Sequence, residues 1–114
     1  MGDYKFRVEF LEEAAKFIDK LDEKTRNKIL YNIWKARYTN DKELFKKLQE
    51  DIWEFRTLYN KTYYRLFAFW DKTEKTDTVI ISTHGIIKKT DKTPTTDIEK
   101  TKKIQEKYFK EKEK

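Results

Sequence analysis

The chain opens on strict alternation. Tyr4, Phe6, Val8 and Phe10 share one parity and Lys5, Arg7 and Glu9 the other, a period of two that predicts a half-buried strand over Tyr4–Phe10. The period then lengthens: Leu11, Ala14, Ala15, Ile18 and Leu21 recur at three- and four-residue spacing, as on one face of a helix. Asp22 stands where an N-cap belongs, ahead of a second helix expected to bury Ile29, Leu30, Ile33 and Trp34. The two helices are expected to form an antiparallel hairpin. Residues 39–51 are polar apart from Leu44, Phe45 and Leu48, whose spacing reads as a single helical turn within a connection.

From Ile52 the two-residue period returns. Ile52–Leu58 and Tyr63–Trp70 read as strands separated by the turn residues Tyr59-Asn60-Lys61-Thr62, and Thr78–Thr83, with Val79-Ile80-Ile81, as a third. Each connection is too short for a crossover helix, which predicts an antiparallel meander. Pro94 follows a Lys/Thr-rich loop and sits where helices begin. Beyond it Ile98, Thr101, Ile104, Tyr108 and Phe109 mark one face of a last helix that frays over about 110–114. With no repeat and no linker, the expectation is one α+β domain over residues 1–114, in the order β-α-α-β-β-β-α, with a small antiparallel or mixed sheet.

Composition changes this picture in two respects. Hydrophobic residues at 37% and charged residues at 42% lean towards disorder, but eight Phe, seven Tyr and three Trp supply large buried areas from few positions. The better reading is an aromatic core under a charged surface. The 27 Lys and Arg against 21 Asp and Glu leave a net charge of +6, which either draws the chain to phosphate backbones or an acidic partner, or simply solvates its surface. The absence of cysteine excludes disulfides and thiolate metal sites. No apolar run approaches the ~18 residues of a membrane span, and the first residues carry no signal-peptide core. A soluble, cytoplasmic protein is expected.

The candidate chemistry lies in the strands. Trp53 and Phe55 alternate with Glu54 and Arg56, and Tyr64, Leu66 and Ala68 alternate with Tyr63, Arg65 and Phe67. If the first set faces the helices, Arg56 and Arg65 can lie side by side on the other face. Like charges so placed repel. Either an anion bridges them, a task suited to the planar guanidinium fork, or each pairs with Glu54 or another acid. His84, the only histidine, is read as structural, solvated or an acid–base group. It cannot hold a metal unaided, and nothing nearby has ligand spacing. Gly85 permits an unusual backbone angle, and Lys88-Lys89 add two flexible cations. There is no phosphate-binding glycine loop and no nucleophile motif, which argues against conventional hydrolases.

Taken together, Ile52-Trp53-Glu54-Phe55-Arg56, Tyr64-Arg65-Leu66-Phe67 and above all His84-Gly85-Ile86-Ile87-Lys88-Lys89-Thr90-Asp91-Lys92-Thr93-Pro94 resemble the RelE/ParE superfamily of bacterial toxins, within it the HigB branch, which has phage-derived members. Ile86 stands where that branch usually has phenylalanine. The resemblance implies a RelE-like fold and a metal-independent, cofactor-free endoribonuclease that cuts messenger RNA in the ribosomal A site. The RNA's own 2′-hydroxyl attacks the adjacent phosphate, so the protein must move protons and stabilise added negative charge. On this reading Arg65 stabilises the phosphate, Lys88 and Lys89 neutralise the backbone, and His84 is the acid or base. Arg56, Tyr63 and Lys61 contact RNA.

The match departs from RelE itself, where lysines occupy the positions of Ile52 and Glu54 and a tyrosine that of Thr95 or Thr96. The resemblance further implies a cognate antitoxin of helix-turn-helix type, contact with operator DNA through that antitoxin alone, and no membrane partner. The alternatives are a ParE-like inhibitor of DNA gyrase and a non-catalytic RNA-binding or repressor-associated module.

Overall fold

The computed structural model describes residues 5–73, 78–88 and 95–113. Its elements run β1 (Arg7–Phe10), α1 (Glu12–Asp19), α2 (Glu23–Ala36), β2 (Phe45–Gln49), β3 (Ile52–Tyr59), β4 (Thr62–Asp71), β5 (Val79–Lys88) and α3 (Thr95–Lys112). The strands form one five-stranded sheet in the order β1-β5-β4-β3-β2. β1 pairs parallel to β5, and the other neighbours are antiparallel. The α+β, RelE-like architecture expected from the sequence is what the chain adopts.

Alternation gives the sheet two faces, and each buries its own core. On one, Phe55, Leu66, Ala68 and Ile80 pack with Phe6 and with Ala14 and Ile18 of α1 and Ile29, Ile33 and Ala36 of α2. On the other, Ile52, Phe67, Phe69, Val79 and Ile81 pack under Ile98, Ile104, Tyr108 and Phe109 of α3. The aromatic residues close the first core: the rings of Phe45 and Phe55 stack at 4.5 Å, and Trp53 and Trp70 meet edge to face at 5.7 Å. Asp22 does cap α2, its carboxylate accepting from the Thr25 amide at 3.3 Å and the Thr25 hydroxyl at 2.6 Å.

Several expectations need correction. The Leu44-Phe45-Leu48 group is no helical turn: Phe45–Gln49 is a fifth strand, lying at the sheet edge against β3. Its register slips between Lys47 and Gln49, and Glu50 takes a positive φ of 44°. That bulge breaks the period of two that would have marked a strand. Leu30 and Trp34 of α2 are exposed, at 39% and 46%, while Ile29 and Ile33 are buried.

β5 does not end at Thr83 but continues through Lys88, with an irregularity where Phe67 pairs with His84 and Ala68 with Ser82. Gly85 has no positive φ. Its smallness serves a close approach instead, since a Cβ there would lie 2.3 Å from the Phe17 ring of α1. Tyr4 and Pro94 lie outside the described residues. No described helix is long and apolar enough to cross a membrane.

Candidate functional site

The β3–β4 hairpin sets the site's geometry. Asn60 and Lys61 both take positive φ, 52° and 60°, the backbone of a two-residue turn whose twist matches the flanking strands. That turn fixes the register Leu58 with Tyr63, Thr57 with Tyr64 and Arg56 with Arg65. β5 extends the same rows, with Lys88 opposite Tyr63, Ile86 opposite Arg65 and His84 opposite Phe67. Phe67 belongs to the core under α3, so alternation places Glu54, Arg56, Tyr63, Arg65, His84 and Lys88 on the α3 side of the sheet.

The two arginines are adjacent, as the strand pattern predicted, and both engage the acid between them. Arg65 Nη1 donates to the two carboxylate oxygens of Glu54, each at 3.3 Å, and Arg56 Nε lies 3.2 Å from Glu54 Oε1. The Arg65 and Glu54 side chains are each 1% exposed, whereas Arg56 retains 15%. One buried carboxylate therefore faces two guanidiniums. The Tyr63 ring lies against both, its centroid 5.8 Å from the Arg56 guanidinium carbon and 5.7 Å from that of Arg65. Of the two arrangements open from the sequence, pairing with Glu54 is the one seen. Arg65 is thus beneath the surface and Arg56 at it.

Lys88 is half-buried beside Tyr63, and Lys61 is exposed at the hairpin tip. Lys89 lies outside the described residues.

His84 is 1% exposed, and its ring is engaged on every side. Nδ1 is 2.8 Å from the Thr83 hydroxyl, Nε2 is 3.1 Å from Asp97 Oδ1, and the ring stacks on Phe67 at 4.9 Å. Burial pushes the imidazole below its ordinary pKa, outweighing the opposing hydrogen bond to the Asp97 carboxylate. Asp97 sits in the first turn of α3, where the helix dipole favours a negative charge. His84 thereby ties the start of α3 to the sheet. Ile86 stands between it and Lys88 along the strand.

At its other end α3 is tied by Asp71. This 1%-exposed carboxylate accepts from Tyr108 Oη and Lys112 Nζ, both at 2.6 Å. Burial would raise its pKa, but the bonds from Lys112, Thr73 and Tyr108 more than offset that and hold it well below the carboxylate range. Among the described residues, no group of three or more His, Cys, Asp or Glu is placed to hold a metal.

The strand pattern had already offered Glu54 as a partner for the arginines, because it shares the parity of Arg56. It did not point to Thr83 or Asp97 as the partners of His84, and the contact of Asp97 depends on where α3 docks. A family model described as "Phage derived protein Gp49-like (DUF891)" matches residues 16–106, a span that holds every candidate site residue. No curated protein matches the chain.

Proposed function

The chain belongs to the phage-derived Gp49-like family, a family of RelE/HigB-type toxins, and from that premise we propose that it is a HigB-branch toxin that cuts messenger RNA on the ribosome. As a toxin it implies an antitoxin partner. The observation that supports the nuclease step is the cross-strand pairing of Arg56 and Arg65 beside Tyr63 and Lys88 on one sheet face. Two guanidiniums, a phenol ring and an amine share that face.

In the proposed reaction the 2′-oxygen of the RNA bonds to the adjacent phosphorus and loses its proton. The bond from phosphorus to the 5′-oxygen breaks, and that oxygen takes up a proton. The transition state carries extra negative charge on the non-bridging oxygens, which positioned cations stabilise. Arg56, at the surface, donates to those oxygens, and Lys88 adds a second cation. Arg65 acts from below: held by Glu54, it keeps Arg56 and Tyr63 in place and contributes positive potential.

Tyr63 offers a ring face for a base and a hydroxyl for proton transfer. Lys61 and Lys89 reach the flanking backbone. The burial of His84 and its two occupied nitrogens support a positioning role at the start of α3 rather than direct proton transfer.

The test is to map RNA ends after brief expression of the wild type, Arg56→Ala and Lys88→Ala. Cuts in phase with codons, lost in the variants while their melting curves match wild type, are expected. DNA damage without such cuts would replace this reading with gyrase inhibition, and full cleavage by both variants would move the site elsewhere.

A further inference from the structure

On the sheet face opposite Arg56 and Arg65, four aromatic rings meet. Phe45 and Trp53 stack at 4.7 Å, Trp53 and Trp70 meet edge to face, Phe6 meets Trp70 in the same way at 5.4 Å, and Phe6 closes back on Phe45 at 5.3 Å. Register explains the meeting. Trp53 has the parity of Phe55, and β2 sets Phe45 directly opposite Phe55. α2 ends beside these rings at Ala36, and the chain turns through residues 39–42 towards β2. Between that turn and the rings a half-open cavity of about 360 Å³ remains.

Its size and walls restrict what it can take. A dry cavity of about 150 Å³ already holds benzene, so one or two fused rings fit here. The side chains of Phe6, Ala36 and Phe45 offer no polar atom, and those of Trp53 and Trp70 offer indole N–H donors alone. A nucleobase or a sugar would leave polar edges unpaired against such walls. An aromatic hydrocarbon ring would not.

The rim has a different chemistry. Lys5 and Lys42 stand there, both exposed, with Asn40 and Asp41. Lys5 donates to the Asn40 side-chain carbonyl, a neutral partner that leaves the ammonium charge in place. Asp41 Oδ1 accepts from the Glu43 amide at 2.9 Å, and the Thr39 hydroxyl donates to Lys35 O at 3.2 Å. What is left at the rim is chiefly donor: two ammoniums, against the second oxygen of Asp41. That suits an anionic acceptor attached to an apolar ring.

We propose that this cavity is a small-molecule site for a planar aromatic carboxylate, with its rings against Phe45, Trp53 and Trp70 and its carboxylate at Lys5 and Lys42. An aromatic residue inside a partner's chain has no carboxylate beside its ring, so the two features together select a free molecule. Trp53 shares a strand with Arg56 but points to the other face, so this ligand does not occupy the candidate RNA site. The inference stands whether or not the chain cuts RNA.

The test is proton–nitrogen NMR of the full chain, whose three tryptophans give three indole N–H signals. Trp34→Phe identifies the signal of Trp34, which lies 46% exposed on α2 and away from the cavity. Naphthalene-2-carboxylate is titrated at pH 7, with 2-naphthylmethylamine as the oppositely charged control. Saturable shifts of the Trp53 and Trp70 signals are expected, with Kd below about 1 mM and about tenfold weaker binding of the amine. Lys42→Glu, at an exposed position, should keep the wild-type melting temperature and weaken the carboxylate, not the amine, by about tenfold. Trp53 and Trp70 also border a second cleft beside Lys47 and Lys72, which Lys42 does not line. Full binding by Lys42→Glu would therefore move the ligand out of this cavity and overturn the proposal. Equal affinity for carboxylate and amine overturns the ligand class. No shift, a shift of Trp34 alone, or an unsaturable drift of all three signals overturns the site.

Discussion

Arg56 and Arg65 face each other across β3 and β4 and close on the same carboxylate, with Arg56 Nε 3.2 Å from Glu54 Oε1 and Arg65 Nη1 3.3 Å from Glu54 Oε2. Directly opposed like charges cost stability in a sheet, and burial raises that cost. Glu54 makes the pairing tolerable. Glu54→Gln keeps the shape but removes the compensating charge. It is expected to destabilise the fold by about 3–5 kcal/mol, read from urea unfolding. A change below 1 kcal/mol would mean that the carboxylate does not carry this charge balance.

The hairpin turn stores strain at a lysine. Lys61 sits at φ 60°, a region that costs a residue with a Cβ about 1–2 kcal/mol and costs glycine nothing. Lys61→Gly is expected to raise stability by about 0.5–1 kcal/mol, after allowance for the extra freedom glycine has when unfolded. If Lys61 meets an RNA phosphate, the same variant should flatten the salt dependence of RNA binding by roughly 0.7 in log K per log salt. Unchanged salt dependence would remove Lys61 from the RNA surface.

His84 makes the fold sensitive to mild acid. Its pKa lies below the ordinary 6.5 in the folded protein because it is buried, so between those two values the unfolded chain binds the proton more readily. The contribution of neutral His84 is complete above pH 6.5 and is lost as pH falls from there through the folded-state pKa. Unfolding free energy should therefore drop between pH 7 and 5, by at most about 1.4 kcal/mol per pH unit. His84→Gln should flatten that segment. An equal slope in the variant would place the titrating group elsewhere.

Tyr108 gives a spectroscopic handle on the docking of α3. Burial first, and then its hydrogen bond to Asp71, push its phenol up to about 12. Ultraviolet titration should show a tyrosine ionisation step near pH 12, and Tyr108→Phe should delete that step. The lost donor should cost about 1 kcal/mol, since Lys112 and Thr73 still serve Asp71. The stabilisation from Tyr108 is complete below pH 10 and is lost as pH rises through 12.

Local signals found most of the fold. Alternation in Ile52–Leu58 and Tyr63–Trp70 fixed both the strands and the side on which each arginine stands, because side-chain direction in a strand follows parity alone. Asp22 marked its helix, and the Ile98-to-Phe109 stripe marked α3, for the same local reason. β2 was missed because its bulge before Gln49 and its edge position, with Lys46 and Lys47 exposed, erased the period. β5 was cut short because its irregularity beside Phe67 shifts the parity of His84 and everything beyond.

The order of secondary elements, the pairing of Arg56 with Arg65 and the cationic character of the chain were written in the sequence, since each depends on neighbours a few residues apart or on composition. The depth of each group was not. Arg65 lies beneath Arg56, His84 is sealed by Asp97, Gly85 sits under Phe17, and Leu30 and Trp34 remain uncovered. Each of these follows from where helices cross the sheet and where the sheet stops. Those are sums over contacts between distant segments, and they decide which cations meet solvent and which serve the core.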